Sequence, residues 1–209
     1  MHKLISRLVT SVSFCIVALT ATTLTNVYAQ TAYPNKPVRL IVPFTPGGVT
    51  DASARLVAEQ MSKRLGQQMI VENKPGASGN IGTQMVAAAE PDGYTLMIHS
   101  SSHTVSPSTF VKLPFDTVND FAGITPISSL ANVLVISPSK NIKTLPELLA
   151  AAKSRSDGLN FASAGQGSAT HLNAEKFKMA ANIQATNIPF KGSAEAVNEV
   201  LSGRVDYYF

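Results

Sequence analysis

The 209-residue sequence predicts an α/β fold of two lobes with a cleft between them. Three observations point there. Strand-like and helix-like runs alternate from Val38 onward. A stretch between Pro114 and Ser139, interrupted by Pro126 and Pro138, breaks that rhythm with two apolar runs and no helix between them. The alternation then resumes from Thr144 to the last residue. Alternating strands and helices favour parallel sheet with crossover helices. Two strand-like runs in succession are what a chain leaving one sheet and starting another looks like.

The elements follow in order. Residues 38–42 (Val-Arg-Leu-Ile-Val) form a β-rich run, ended by Pro43. Residues 51–65 place Ala54, Val57, Met61 and Leu65 at helical spacing, and Gly66 closes the helix. Met69, Ile70 and Val71 are strand-like. A Gly-rich loop over 73–80 leads into a helix over 81–89, Pro91-Asp92-Gly93 is turn chemistry, and 94–99 returns as strand. In the break, 124–130 and 133–137 read as paired strands. Thr144, Pro146 and Glu147 fit a capping box with proline in the first turn, opening a helix to about residue 154. Strand over 159–162, helix over 169–180 and strand over 185–189 come next, and Ser193 caps a helix ending at Gly203.

Bulk composition narrows the function classes. With 44% hydrophobic and 14% charged residues the chain is globular. The net charge is +4; Lys3 and Arg7 supply two of those charges, which leaves +2 for everything after residue 29. Aromatics are few and there is no basic run, so nucleic-acid binding is not expected. The pI of about 9.2 reflects a small surplus of Lys and Arg, not a basic patch.

Residues 1–29 read as a cleavable signal peptide. The positive charges lie in 1–7, an apolar stretch diluted by Ser and Thr fills 8–24, and Val27-Tyr28-Ala29 places short residues where a signal peptidase reads, with cleavage before Gln30. A transmembrane anchor is the alternative, but the unbroken apolar run is shorter than the roughly 20 residues a bilayer needs. Cys15 lies in this segment and has no small-residue lipidation context before it, so the mature chain holds no cysteine: no disulfide, thiol nucleophile or Cys-based metal site. The expected domains are 30–125 for the first lobe and 126–209 for the second.

The loops carry the chemistry. Pro43-Phe44-Thr45-Pro46-Gly47-Gly48-Val49-Thr50-Asp51 follows the first strand and opens a helix. Glycines let backbone approach a ligand, and a helix N-terminus offers unpaired N–H donors with partial positive charge, which suits a carboxylate. The plainer reading is a tight turn with Thr50 or Asp51 as N-cap. The loop over 73–82 repeats the logic, but its glycine spacing fits neither a dinucleotide fingerprint nor a P-loop. Residues 163–171 do the same in the second half, with small residues and hydroxyls before a helix. Several neutral donor loops bind an anion without a large cationic cluster.

Catalysis is the competing reading. Ser168 and His171 lie three residues apart on one helix face, as a nucleophile and base could. No nucleophile-elbow pattern surrounds Ser168, and no acidic residue is obviously placed to orient His171. His99 and His103 lack a metal-ligand spacing. No enzymatic activity and no cofactor are expected.

Pro43-Phe44-Thr45-Pro46-Gly47-Gly48 with Asp51 and Arg55, Val71-Glu72-Asn73-Lys74-Pro75-Gly76-Ala77, and Pro91-Asp92-Gly93-Tyr94-Thr95 come in one order along the chain. Gly165-Gln166-Gly167-Ser168 with His171-Leu172, Pro189-Phe190-Lys191-Gly192 and Gly203-Arg204-Val205-Asp206 follow. Together, over residues 33–209, they closely resemble the Bug-type receptors of tripartite tricarboxylate transporters. The resemblance implies a fold like that of type II periplasmic binding proteins, two Rossmann-like lobes that close on a small organic acid. It implies a carboxylate held largely by loop amides and ordered waters, by a monomer. The partner is a membrane permease, or alternatively a sensor with the same pocket.

Carried onto this sequence, the first-lobe contacts are Phe44, Gly47, Gly48, Thr50 and Asp51, with Ser78 and Ser101 nearby. The second-lobe contacts are Gly165, Ser168, Thr170 and His171, with Phe190, Lys191 and Gly192. Asp51 beside a carboxylate is costly unless it caps its helix or meets a polar hydrogen of the ligand. Lys191 has the alternative of a solvated turn residue, and Arg55 reads as structural. Family members are longer, and their final part returns to complete the first lobe. The run Val205-Asp206-Tyr207-Tyr208-Phe209 reads as a strand with nothing after it, so the second crossover and the end of the first lobe are expected to be missing, with weakened stability and binding.

Overall fold

The computed structural model describes residues 33–209; the expected signal peptide and its cleavage point lie outside the described residues. Residues 36–209 form one compact unit holding two sheets.

The first sheet has the order β2-β1-β3, all parallel. Strand β1 (Val38–Val42) is central and buried at four of its five positions, as a strand covered on both faces must be. Helix α1 (Val49–Leu65) lays Ala54, Ala58, Met61 and Leu65 against it. The helix stops at Gly66, whose φ of 69° is left-handed backbone and whose N–H donates to the Ser62 carbonyl. Strand β2 (Met69–Asn73) then pairs with β1, Val38 opposite Met69 and Val42 opposite Asn73. A 3-10 turn (Ala77–Gly79) runs into α2 (Asn80–Ala87), and β3 (Thr95–Met97) takes the other side of β1.

Helix α3 (Ser102–Thr109) was not legible in the sequence, where Ser100-Ser101-Ser102 reads as a turn. Hydroxyl-rich segments favour local alternatives to helix. Here the hydroxyls fold back onto the helix itself: Thr104 Oγ1 donates to the Ser101 carbonyl at 2.8 Å and Ser106 Oγ lies 3.0 Å from that of Ser102. Ser106 Oγ also lies 3.0 Å from Asn80 Oδ1, which ties α3 to the start of α2.

The second sheet has the order β4-β7-β5-β6. Strands β5 (Leu159–Ser163) and β6 (Ala185–Pro189) are parallel over five residues, with α5 (Ala169–Ala181) between them in sequence. Helix α4 (Leu145–Ser154) carries the expected capping box, Thr144 and Glu147 each satisfying the other's backbone N–H. Strand β7 (Tyr207–Tyr208) pairs parallel to β5 and antiparallel to β4 (Val135–Ile136). Phe161, Leu148, Leu159, Ala174 and Tyr207 form the core beneath these elements.

Two expectations change. The paired strands of the break reduce to β4; residues 121–134 have no regular structure, and Ile124, Leu130 and Val133 are exposed. A strand needs a partner edge, and among the described residues this segment finds none before β7. Ser193 is not a cap. Gly192 is the N-cap of α6 (Ser193–Leu201), and the Ser193 hydroxyl instead lies 2.7 Å from the Tyr208 hydroxyl.

Candidate functional site

The loop after β1 is clamped by one carboxylate. Asp51 is 3% exposed. Its Oδ2 accepts the Gly47 backbone N–H at 2.9 Å and Arg55 Nε at 3.0 Å, and its Oδ1 accepts Asn73 Nδ2 at 2.9 Å. Asn73 Nδ2 also reaches the Phe44 carbonyl at 3.1 Å, so the far end of β2 fixes the same loop. Burial by itself raises the Asp51 carboxyl, but the hydrogen bonds from Arg55, Gly47 and Asn73 outweigh it and hold the pKa below the usual carboxylate range. Asp51 is therefore occupied inside the fold. Gly47 needs its glycine, at φ 81°, and the α1 N-terminus behind Gly48 has no side-chain cap. Thr50 is half-buried in the first turn. Phe44 turns into the core and meets the His99 ring edge-on at 5.3 Å.

The loop after β5 is held in a similar way. Thr170 Oγ1 accepts the Ala164 N–H at 2.9 Å, Ser168 Oγ accepts the His171 N–H at 3.3 Å, and the two hydroxyls lie 3.1 Å apart. His171 Nδ1 accepts the Gly167 N–H at 3.0 Å. Burial pushes the His171 pKa down, with Glu175 and Lys178 acting in opposite senses. Its other ring nitrogen lies 3.9 Å from Glu175. The imidazole thus props the loop with one nitrogen and faces an acid with the other. Neither nitrogen is engaged by the Ser168 hydroxyl as a nucleophile–base pair requires.

These loops face each other across the two sheets. A Cβ placed on Gly165 would come within 2.8 Å of Ser78 Oγ, one on Gly167 within 2.8 Å of Thr109 Oγ1, and one on Gly192 within 2.0 Å of Thr45 Oγ1. Gly47 and Gly48 point their open sides at Ala194 and Ser193, each 3.9 Å away. Beside this contact lies a cavity of about 460 Å³, within the range of small-molecule sites. Ser78 and Phe110 line it from the first sheet's side. Gly165, Phe190 and Lys191, all expected from the sequence, line it from the other, joined by Gln166 and Glu195.

The structure thus gathers Ser78, Gly165, Phe190 and Lys191 around one space, with Gly47, Gly48 and Gly192 at the closing contact next to it. Ser168, Thr170, His171 and Asp51 build the loops from behind, and Ser101 is an exposed N-cap of α3 outside the cavity lining. Sequence reasoning missed Thr45, Phe110, Gln166 and Glu195. Gln166 lay within a motif already singled out; Phe110 follows a helix the sequence did not reveal. Among the described residues no group of His, Cys, Asp and Glu is placed to hold a metal ion. No helix among them is long and apolar enough to cross a membrane.

Comparison with known proteins places this arrangement. Residues 53–209 match the tripartite tricarboxylate transporter family receptor. A UPF0065 protein from the tcbD-tcbE intergenic region of Pseudomonas sp. (strain P51) is 37% identical over 175 residues, covering 84% of this chain and 52% of the relative. Protein BugT of Bordetella pertussis is 38% identical over 175 residues, covering 83% and 54%. The chain spans about half the length of the curated relatives it matches. Among solved structures, the periplasmic binding protein BugD is similar at a TM-score of 0.76 and 34% identity, covering 84% of this chain and 59% of BugD. MatC of Rhodopseudomonas palustris with bound malate gives 0.78 and 33%, covering 84% and 60%; R. palustris Rpa4515 with adipate gives 0.82 and 33%, covering 84% and 59%. These neighbours carry the fold class expected of the sequence, and they are binding proteins rather than enzymes. The chain belongs to the receptor family of the tripartite tricarboxylate transporters, the Bug-type solute-binding proteins.

Proposed function

We propose that this chain carries the ligand-gripping loops of a periplasmic receptor that captures a small organic carboxylate between two α/β lobes and delivers it to a tripartite tricarboxylate-type permease. The observation that carries the reading is the convergence of four loops, each following a strand, on one cavity and one closing contact. Loops at the carboxyl ends of parallel strands are where ligands bind in such folds. The lobes are the sheet of β1–β3 and the sheet of β4–β7, with the boundary near residue 125. Residues 1–29 serve as the export signal, cleaved before Gln30.

The carboxylate lies against Ser78, Gly165, Lys191 and the uncapped N-terminus of α1, where Gly48 and Thr50 supply donors, with ordered waters filling gaps between loop amides. Phe190 flanks its carbon skeleton. Neighbours solved with malate and with adipate make a small dicarboxylate or a related acid the first class to test. A thermal-shift screen of organic acids does so. A ligand at 100 times its Kd adds roughly 2.7 kcal/mol of stability, which is visible as a raised Tm. If no acid raised the Tm while a sugar or an inorganic cation did, the carboxylate reading would fall.

A further inference from the structure

Tyr208 ends the interior strand β7 with its ring buried in a cluster with Ala162 of β5 and Ala196 and Val200 of α6. Its hydroxyl leaves that apolar cluster for two helix N-termini. The O–H donates to Ser193 Oγ, at the first residue of α6, over 2.7 Å. The Thr170 hydroxyl, in the first turn of α5, lies beside the same phenol oxygen. Burial pushes the Tyr208 pKa up, against the lowering effect of these two hydroxyls. Thr170 Oγ1 in turn accepts the Ala164 N–H and stands 3.1 Å from Ser168 Oγ. The hydroxyls of Ser193, Tyr208, Thr170 and Ser168 therefore run from the loop after β6 to the loop after β5.

The first turn of α6 is also what the other sheet meets. Its N-cap, Gly192, makes no side-chain bond there. A Cβ on Gly48 would lie 3.9 Å from that of Ser193, and one on Gly192 would lie 2.0 Å from Thr45 Oγ1. Packing this close leaves the turn little room to shift. Tyr208 itself does not line the cavity. Tyr207, beside it in β7, supplies the contrast: its hydroxyl is also buried but has no partner among the described residues.

Resting on the receptor reading above, we propose that Tyr208 is a positioning residue for ligand capture. Its hydroxyl ties the N-termini of α5 and α6 together, so that both loops grip as one body against the loop after β1. Groups that contact a ligand hold their geometry only when the residues behind them are locked in turn.

The test titrates malate and adipate calorimetrically into the full chain and into its Tyr208→Phe, Tyr207→Phe, Ser193→Ala and Tyr208→Phe/Ser193→Ala variants, well below each Tm. Phenylalanine keeps the ring in its cluster and deletes only the hydroxyl. Y208F and S193A each weaken binding about threefold or more, and the double variant is no weaker than the worse single one, because both break the same tie. Y207F leaves the affinity unchanged. In the ligand-free chain, S193A shifts the Ala164 and Thr170 amide resonances, and does so far less in the Y208F background. A tyrosine that serves stability alone would lower the Tm of Y208F and leave the Kd of the folded chain unmoved. That result, additive losses in the double variant, or equal weakening by Y207F overturns the role of Tyr208 and leaves the receptor reading intact. Binding of neither acid to the wild type counts against the receptor reading and the effect on affinity together, while the ligand-free resonances still decide the tie between the helices.

Discussion

Thr45 Oγ1 sits where the side chain of residue 192 would begin: a Cβ on Gly192 would lie 2.0 Å from that oxygen and 3.1 Å from Thr45 Cβ. Gly192 has extended backbone, φ 179° and ψ 173°, so its glycine is required by this contact and not by φ. The loops of the two sheets press together here with no side chain between them. Replacing Gly192 with alanine forces the loops apart. The expected result is ligand affinity lowered at least about tenfold, the scale of ~1–3 kcal/mol that overpacking costs, with part of the loss recovered by adding Thr45→Ala. Calorimetric titration of the single and double variants checks it; an unchanged affinity in G192A would show that this contact is not part of the bound state.

Asp51 gathers three donors from three places in the chain. Asp51→Ala strands the Gly47 N–H and leaves Asn73 Nδ2 only its bond to the Phe44 carbonyl, and is expected to cost about 2 kcal/mol, the scale of hydrogen bonds to a charged group. Urea unfolding measures this. Arg55→Ala removes only the exposed partner and is expected to cost less than about 1 kcal/mol. Equal losses in the two variants would contradict the clamp.

Asp206 plays the corresponding part in the second sheet. Its carboxylate is 4% exposed, accepts the Asn160 N–H at 2.7 Å, and meets Lys140 at 2.9 Å and Arg155 at 3.4 Å. Asp206→Ala is expected to lower stability by about 2 kcal/mol because the partly buried Asn160 N–H and two cations lose their acceptor. Lys140→Ala and Arg155→Ala, which leave that bond intact and touch partly exposed cations, are expected to cost under about 1 kcal/mol each. Denaturant midpoints of the three variants decide this.

Acid sensitivity has a local source in His99. Its ring lies beside Phe44 and His103, and its Nε2 is buried without a partner among the described residues. Burial, then the charge of His103, depress its pKa from 6.5 to about 4, against a smaller opposing effect of the Ser100 backbone. Between those values the unfolded chain binds a proton that the folded chain refuses, so stability is fully present above pH 6.5 and declines as pH falls toward 4. The loss is on the order of 3 kcal/mol. His103 and His171 are shifted the same way, so His99→Gln reduces the slope of Tm between pH 6.5 and 4 without abolishing it. A slope unchanged in H99Q would assign the acid sensitivity elsewhere.

The regular elements were legible because their signals are local. Period-2 and helical spacing, Gly66 after α1, and the Thr144/Glu147 box all act within a few residues, and the structure places those elements within a residue or two of expectation. Helix α3 was not legible because Ser, Thr and Pro107 argue locally against helix, and its support comes from Asn80 on another element. The strand pair over 124–137 failed for the opposite reason: its residues suit a strand, but strand formation is decided by a partner edge, which composition does not encode. In the site, Ser78, Gly165 and Lys191 could be found because glycines and hydroxyls before helices announce donor loops. The roles of Asp51 and His171 could not, since each depends on which backbone N–H the fold carries to it. Neither could the pressing of Thr45 on Gly192, which joins residues 147 positions apart.

The central claim is that a small carboxylate binds in the space between the two sheets. Amide NMR of the isotopically labelled chain, titrated with malate and adipate, tests it at the residues themselves. The expected result is saturable shifts of the Gly47, Gly48, Ser78, Gly165 and Lys191 amides, with those at the distant ends of α1 and α4 unmoved. Saturable binding whose shifts spare these five amides and cluster elsewhere would contradict it.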